Sequence, residues 1–233
     1  MSVAAVVFDL DGVLIDSERA WEAARRSIVV ERGRPYPPPG TDRDTIAREI
    51  MGMNAPEWAH YLRSQLGVDL PEDQIVKTVL ERVSAAVRAD PGVLPGAVEA
   101  VRALAAGWPL AIASSASRSL ITLALDLSGL ADAFGVIVSA EEVPRGKPSP
   151  DVYLRAAELL RVDPRRCVAV EDSSNGIRSG KNAGMRVICI PNHDFPPVPE
   201  ALALANRVLG SISELTPALI DSLELTGACR DPA

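Results

Sequence analysis

Cysteine and histidine are nearly missing from this chain of 233 residues, which has three of the first and two of the second. Cys167, Cys189 and Cys229 are an odd set that cannot all pair with one another, and none belongs to a Cys-x-x-Cys pair. A disulfide scaffold, a zinc ribbon and a dithiol redox centre are therefore not expected, and the thiols read as the reduced set of a cytoplasmic protein. Long apolar runs are lacking as well. The N-terminal run Val3–Phe8 is short, follows no basic segment and leads straight into acids, which fits neither a signal peptide nor a membrane span. A basic excess is also missing: 24 Lys and Arg stand against 31 Asp and Glu, a net charge of −7 with the acids scattered. A protein that neutralises many nucleic-acid or lipid phosphates needs the opposite balance, whereas a small anionic ligand needs only a local positive site.

What is present is a globular composition, 47% hydrophobic and 24% charged, long enough for one large domain carrying a smaller insert. Five compact apolar runs, Ala4–Phe8, Leu110–Ala113, Val136–Val138, Val168–Val170 and Val187–Ile190, read as strands buried on both faces of a parallel sheet. Each is separated from the next by a stretch with helical spacing and capping residues. Gly96–Ala106 is one, and another is expected to open with Ser149 as capping hydroxyl and Pro150 at the first helical position, with Ala156, Ala157, Leu159 and Leu160 as its apolar face. The alternation predicts an α/β fold, a doubly wound, Rossmann-like parallel sheet with helices on both faces.

One stretch breaks the pattern. Between Ser17 and Asp90 there are four amphipathic helical segments (Trp21–Glu31, Asp44–Met51, Pro56–Leu66 and Glu72–Ala89) and no buried strand. The expected organisation is a core of residues 1–16 and 92–233 with an all-helical insert of residues 17–91, hinged after Asp16 and in the Pro91-Gly92 to Pro95-Gly96 segment. The proline-rich Arg34–Gly40 segment reads as a rigid surface loop, His60 and His193 as ordinary surface or partly buried side chains, and Gly227–Ala233 as a frayed end.

In open α/β sheets the ligand lies beyond the carboxyl ends of the strands. There the chain places Asp9-Leu10-Asp11-Gly12, Ser114-Ser115, Gly146-Lys147-Pro148 and Glu171-Asp172. Several carboxylates about 4 Å apart repel by roughly 4 kcal/mol per pair even at an effective dielectric near 20, so a cation is expected among them. An all-oxygen donor set without His or Cys suits Mg²⁺ better than Zn²⁺. With Mg²⁺ and the Lys147 ammonium present, Asp9 can attack a phosphorus centre and form an aspartyl phosphate. Asp11 is then placed to protonate the leaving oxygen and later to take a proton from water.

The segments Phe8–Ser17, Ala113–Ser117, Gly146–Asp151 and Val170–Ile177 resemble, in order and spacing, the four motifs of the haloacid dehalogenase-like hydrolase superfamily. They are most similar to the branch with a helical cap after motif one, which contains β-phosphoglucomutases and many sugar-phosphate phosphatases. The resemblance implies Asp9 as nucleophile and Mg²⁺ ligand, Asp11 as general acid/base and backbone-carbonyl ligand, Asp172 as a third ligand, and Glu171 as a further ligand or outer acceptor. It implies that Ser114 and Ser115 hold the phosphoryl oxygens, that Lys147 bridges Asp9 and that group, and that the insert closes over them as a cap.

Asp11 argues against dehalogenation, since carbon-halide dehalogenases lack an acid/base carboxylate there. β-Phosphoglucomutases carry a His soon after motif one and an Arg in a cap loop. This chain has no His between Ser17 and Trp58, and Gly52-Met53-Asn54-Ala55 where the Arg-bearing loop would fall. The expectation is a phosphatase acting on a small phosphorylated metabolite, most simply a phosphosugar, as a monomer or weak homodimer without nucleic-acid or membrane partners. A phosphosugar mutase is the alternative, and a non-catalytic binding module the third. Arg43, Arg48, Asn54 and Trp58 are candidate selectors in the cap.

Overall fold

The run of β-branched and small residues after the N-terminus can be buried on both faces only if helices cover both, and that is what it meets. In the computed structural model, which describes residues 2–223, β1 (Ala5–Phe8) is wholly buried. Val6 and Phe8 pack into one apolar cluster, and Ala5 and Val7 into another on the opposite face. Cys229 and the expected frayed end at 227–233 lie outside the described residues.

Four helices follow β1. They are α1 (Glu18–Glu31), α2 (Arg43–Ile50), α3 (Ala55–Ser64) and α4 (Glu72–Ala89). Caps set their starts: the Asp42 carboxylate accepts from Thr45 N, and Asn54 and Glu57 form a reciprocal capping box. In α4 the buried residues Ile75, Val79, Val83 and Val87 recur every fourth position, a stripe that packs on α1 and α3. The two segments joining these helices to the rest of the chain run side by side. Asp16 N donates to Gly92 O at 2.7 Å and Leu94 N to Leu14 O at 2.9 Å.

The chain then alternates through α5 (Ala97–Ala105), β2 (Leu110–Ser114), α6 (Arg118–Ser128), β3 (Val136–Ser139), α7 (Asp151–Leu160), β4 (Cys167–Glu171), α8 (Ser174–Asn182), β5 (Arg186–Cys189), α9 (Pro199–Leu202), β6 (Arg207–Val208) and α10 (Pro217–Ser222). All six strands are parallel, in the order β3-β2-β1-β4-β5-β6. Helices α5 and α6 cover the face that takes Val6 and Phe8, while α7 and α8 cover the other. The doubly wound sheet is thus as expected, and its strand order reverses between β1 and β4, where such sheets bind ligands.

One local expectation is corrected, and two elements appear that the sequence pattern did not mark. The helix α7 starts at Asp151, with Pro150 in the capping position, and the Ser149 hydroxyl donates to the Asp151 carboxylate instead of capping a backbone N–H. Strand β6 is two exposed residues at the sheet edge, too short to leave an apolar pattern. The short helix α9 between β5 and β6 has one buried residue, Ala201, and likewise leaves no periodic signal. Among the described residues no helix is long and apolar enough to cross a membrane.

Candidate active site

Asp9 is the first residue beyond β1, held in register by its N–H to Val170 O at 2.9 Å. The chain then turns back sharply. Leu10 O accepts the N–H groups of Val13, Leu14 and Ile15, and Gly12 sits at φ +76. A side chain at Gly12 would run into the Asp172 carboxylate, so glycine is needed both for the turn and for the approach of β4's end to β1's end. Asp9, Glu171 and Asp172 are all buried, and each offers one oxygen within 4.8 Å of the others.

Lys147 reaches this group from the loop between β3 and α7. Its Nζ lies 2.5 Å from Glu171 Oε1 and 3.0 Å from Asp9 Oδ1. The second contact is an ion pair off the hydrogen-bond direction, so Asp9 Oδ1 is buried without a hydrogen-bond donor. Glu171, by contrast, is saturated. Lys147 and the Tyr153 hydroxyl, at 2.7 Å, donate to Oε1, and the Ser173 hydroxyl and Asp172 N, both at 3.2 Å, donate to Oε2. Tyr153 was not among the expected site residues, because a tyrosine on the apolar face of a helix reads as core packing; only its phenol oxygen marks it out.

Three carboxylates face one ammonium here. Burial pushes the Asp9 carboxyl up to about 8, with Lys147 opposing the shift and Glu171 and Asp11 adding to it. Burial, then Glu171 and Asp9, hold Asp172 well above the usual carboxylate range. For Lys147, burial pulls downward, but the carboxylates of Asp9 and Glu171 outweigh it and hold the ammonium above its ordinary value. The surplus of buried negative charge, three carboxylates against one ammonium, fits a metal cation, and the donors are all oxygen.

Asp11 faces away from that cluster, toward the α1–α4 side. Its Oδ1 accepts from the Ser17 hydroxyl and from Trp21 Nε1 at 3.1 Å, and its Oδ2 lies 3.4 Å from the Ser114 hydroxyl. Ser114 ends β2 fully buried, with its Oγ accepting from Ala116 N at 3.0 Å. Ser115 turns to the helical insert, where its hydroxyl donates to Gly52 O at 2.7 Å. Asn175 Nδ2 does the same to Met51 O, also at 2.7 Å. The 51–54 loop thus lies on the strand ends and narrows the cleft there to a cavity of about 40 Å³, lined among others by Asp9, Asp11, Asp172, Glu18, Arg25 and Trp58.

Of the four candidate selectors only Trp58 lines this cavity. Arg43 is an exposed partner of Glu22, Arg48 an exposed neighbour of Asp44 at 3.9 Å, and Asn54 is the cap of α3. His60 is exposed and 2.9 Å from Glu72, and His193 is exposed. Glu18 and Arg25 were not anticipated. The signal was available: positions 18, 21 and 25 share the helix face on which Ile28 is also buried, so two charges stood inside an apolar stripe.

A family model for haloacid dehalogenase-like hydrolases matches residues 3–184, which include every one of these strand-end groups. The chain belongs to the haloacid dehalogenase-like hydrolases. Among its relatives in this family, hexitol phosphatase B of Escherichia coli (strain K12) is 34% identical over 215 residues, covering 92% of this chain and 95% of that protein. The crystal structure of CbbY from Rhodobacter sphaeroides in complex with xylulose-(1,5)bisphosphate superimposes with a TM-score of 0.80 at 31% identity, covering 94% and 99% of the two chains. A β-phosphoglucomutase from Clostridium difficile, at TM-score 0.79 and 24% identity, shares the fold.

Proposed function

We propose that this hydrolase is a Mg²⁺-dependent phosphatase that cleaves a small phosphate monoester, a phosphosugar or related metabolite, through a phosphorylated Asp9. The observation that carries the reading is the placement of Lys147 between Asp9 and Glu171 in a buried carboxylate cluster short of positive charge. The relatives named as phosphatases support the same reaction class.

Asp9, Asp172 and the backbone carbonyl of Asp11 would hold the ion, and Glu171, its oxygens already engaged, would act from behind by fixing Lys147. When bound, the ion supplies the positive charge that makes the meeting of a carboxylate and a phosphoryl group electrostatically tolerable. The chain's own groups do the rest. An Asp9 oxygen forms a bond to phosphorus while the ester P–O bond breaks, and Asp11 gives its proton to the departing alkoxide. Asp11 then takes a proton from water, that oxygen bonds to phosphorus, and the bond to Asp9 breaks to release phosphate. The Ser114 hydroxyl, the backbone N–H of Ser115 and Lys147 would hold the phosphoryl oxygens during both steps, while the Ser115 hydroxyl stays on Gly52 O.

Residues 17–91 would serve as a cap moving about the paired segments near Asp16 and Gly92. Ligand pockets commonly measure about 300–1,000 Å³, so the 40 Å³ left with the 51–54 loop seated would widen to admit substrate, and closure would then exclude bulk water. The test is p-nitrophenyl phosphate hydrolysis with and without Mg²⁺. Activity lost with EDTA and with Asp9→Asn is expected, and hydrolysis that survives Asp9→Asn would refute the proposal. Supplying β-glucose 1-phosphate with a catalytic amount of the 1,6-bisphosphate separates the mutase alternative: glucose 6-phosphate formed without free phosphate would replace hydrolysis by isomerisation.

A further inference from the structure

The strand-end machinery leaves two charged groups of the cavity unused. Arg25 and Glu18, both on α1, are buried to 8% and 7% exposure and line the same cavity as Asp9 and Asp11. They neutralise each other only loosely, with Arg25 Nη1 3.6 Å from Glu18 Oε1, beyond a hydrogen bond. The guanidinium lies beside two indoles that meet edge to face, 5.0 Å from the Trp21 ring centre and 5.9 Å from that of Trp58. Arg25 Nε has no acceptor and Glu18 Oε1 has no donor.

Leaving a buried guanidinium N–H and a buried carboxylate oxygen unpaired is costly, and an apolar pair of the same size would pack against the tryptophans without that cost. The arrangement makes sense when a ligand supplies what is missing. A planar donor beside a carboxylate acceptor matches vicinal hydroxyl groups, whose oxygens take the Arg25 N–H and whose proton goes to Glu18 Oε1. A second phosphate fits poorly, since its charge would come to rest against the Glu18 carboxylate.

We propose that Arg25 and Glu18 form a hydroxyl-recognising subsite that selects the leaving group of a neutral polyol or sugar monophosphate. The proposal rests on the phosphatase reading above and adds the substrate class to it. Trp21 ties the subsite to the chemistry, because the same indole that stacks on Arg25 donates to Asp11 Oδ1. A leaving group seated on Arg25 is thereby presented next to the carboxyl that protonates it.

The test compares sorbitol 6-phosphate with p-nitrophenyl phosphate, whose leaving group carries no vicinal hydroxyls. In Arg25→Met the ratio of kcat/KM for the first to that for the second should fall at least about tenfold, mainly through KM, as expected for losing a charge-assisted hydrogen bond. Arg25→Lys should recover part of the loss. A smaller fall overturns the proposal, as does a wild-type preference for fructose 1,6-bisphosphate over sorbitol 6-phosphate, which would make Arg25 a phosphate clamp. Should Arg25→Met fail to melt cooperatively, Glu18→Gln is judged by the same threshold. Wild-type protein inactive toward both esters removes the phosphatase reading and the subsite together; activity toward p-nitrophenyl phosphate with an unmoved ratio removes the subsite alone.

Discussion

Two carboxylates of this molecule are both buried and differently treated. Glu171, at the end of β4, accepts from Lys147, Tyr153, Ser173 and a backbone N–H, so every donor it needs comes from the protein. Glu18, on α1, leaves one oxygen unpaired beside an Arg25 whose Nε is also unpaired. The difference separates a permanent device from one completed by its ligand. Core groups satisfied by the fold should govern turnover of every substrate alike, whereas groups of the insert left open should govern which substrate is turned over.

The largest effect is expected from Asp9→Asn, which should cut kcat by at least about 10⁴-fold toward any phosphate ester while the protein stays folded. A loss confined to one substrate would erase the distinction. Lys147→Met removes the only ammonium from a cluster of three carboxylates. Breaking a buried pair costs about 3–5 kcal/mol, so it should lower both melting temperature and kcat on all substrates, and Mg²⁺ should restore part of the stability. Gly12→Ala combines a positive φ with a collision at Asp172. It should cost about 1–2 kcal/mol and weaken the stabilisation by Mg²⁺, measured by melting with and without the ion. Smallest are Ser115→Ala and Asn175→Ala, each removing one bond to the 51–52 backbone. At roughly 0.5–1.5 kcal/mol per bond, their effect should appear in KM rather than in the melting temperature.

The same contrast explains what could be read in advance. Asp9, Asp11, Ser114, Ser115, Lys147, Glu171 and Asp172 all follow or end short apolar runs, and a parallel sheet necessarily brings such ends to one edge. Tyr153 escaped because its ring does belong to the core and only its hydroxyl belongs to the site. Arg25 and Glu18 escaped because charges on a helix are usually solvated, and their burial depends on α1 meeting Trp58 of α3. Arg43 and Arg48 show the converse: charges on α2 that stay at the surface, paired with Glu22 and Asp44. The spacing of positions 18, 21 and 25 marks one face of α1, but what that face meets is set by tertiary packing.

Covalent phosphorylation of Asp9 is the claim on which the rest depends. Rapid quenching during turnover with Mg²⁺, followed by borohydride reduction and tandem mass spectrometry, tests it directly. Homoserine is expected in place of aspartate at position 9, formed only when substrate and ion are both present. Steady release of phosphate with Asp9 unmodified, or with the phosphoryl group trapped on another residue, would contradict it.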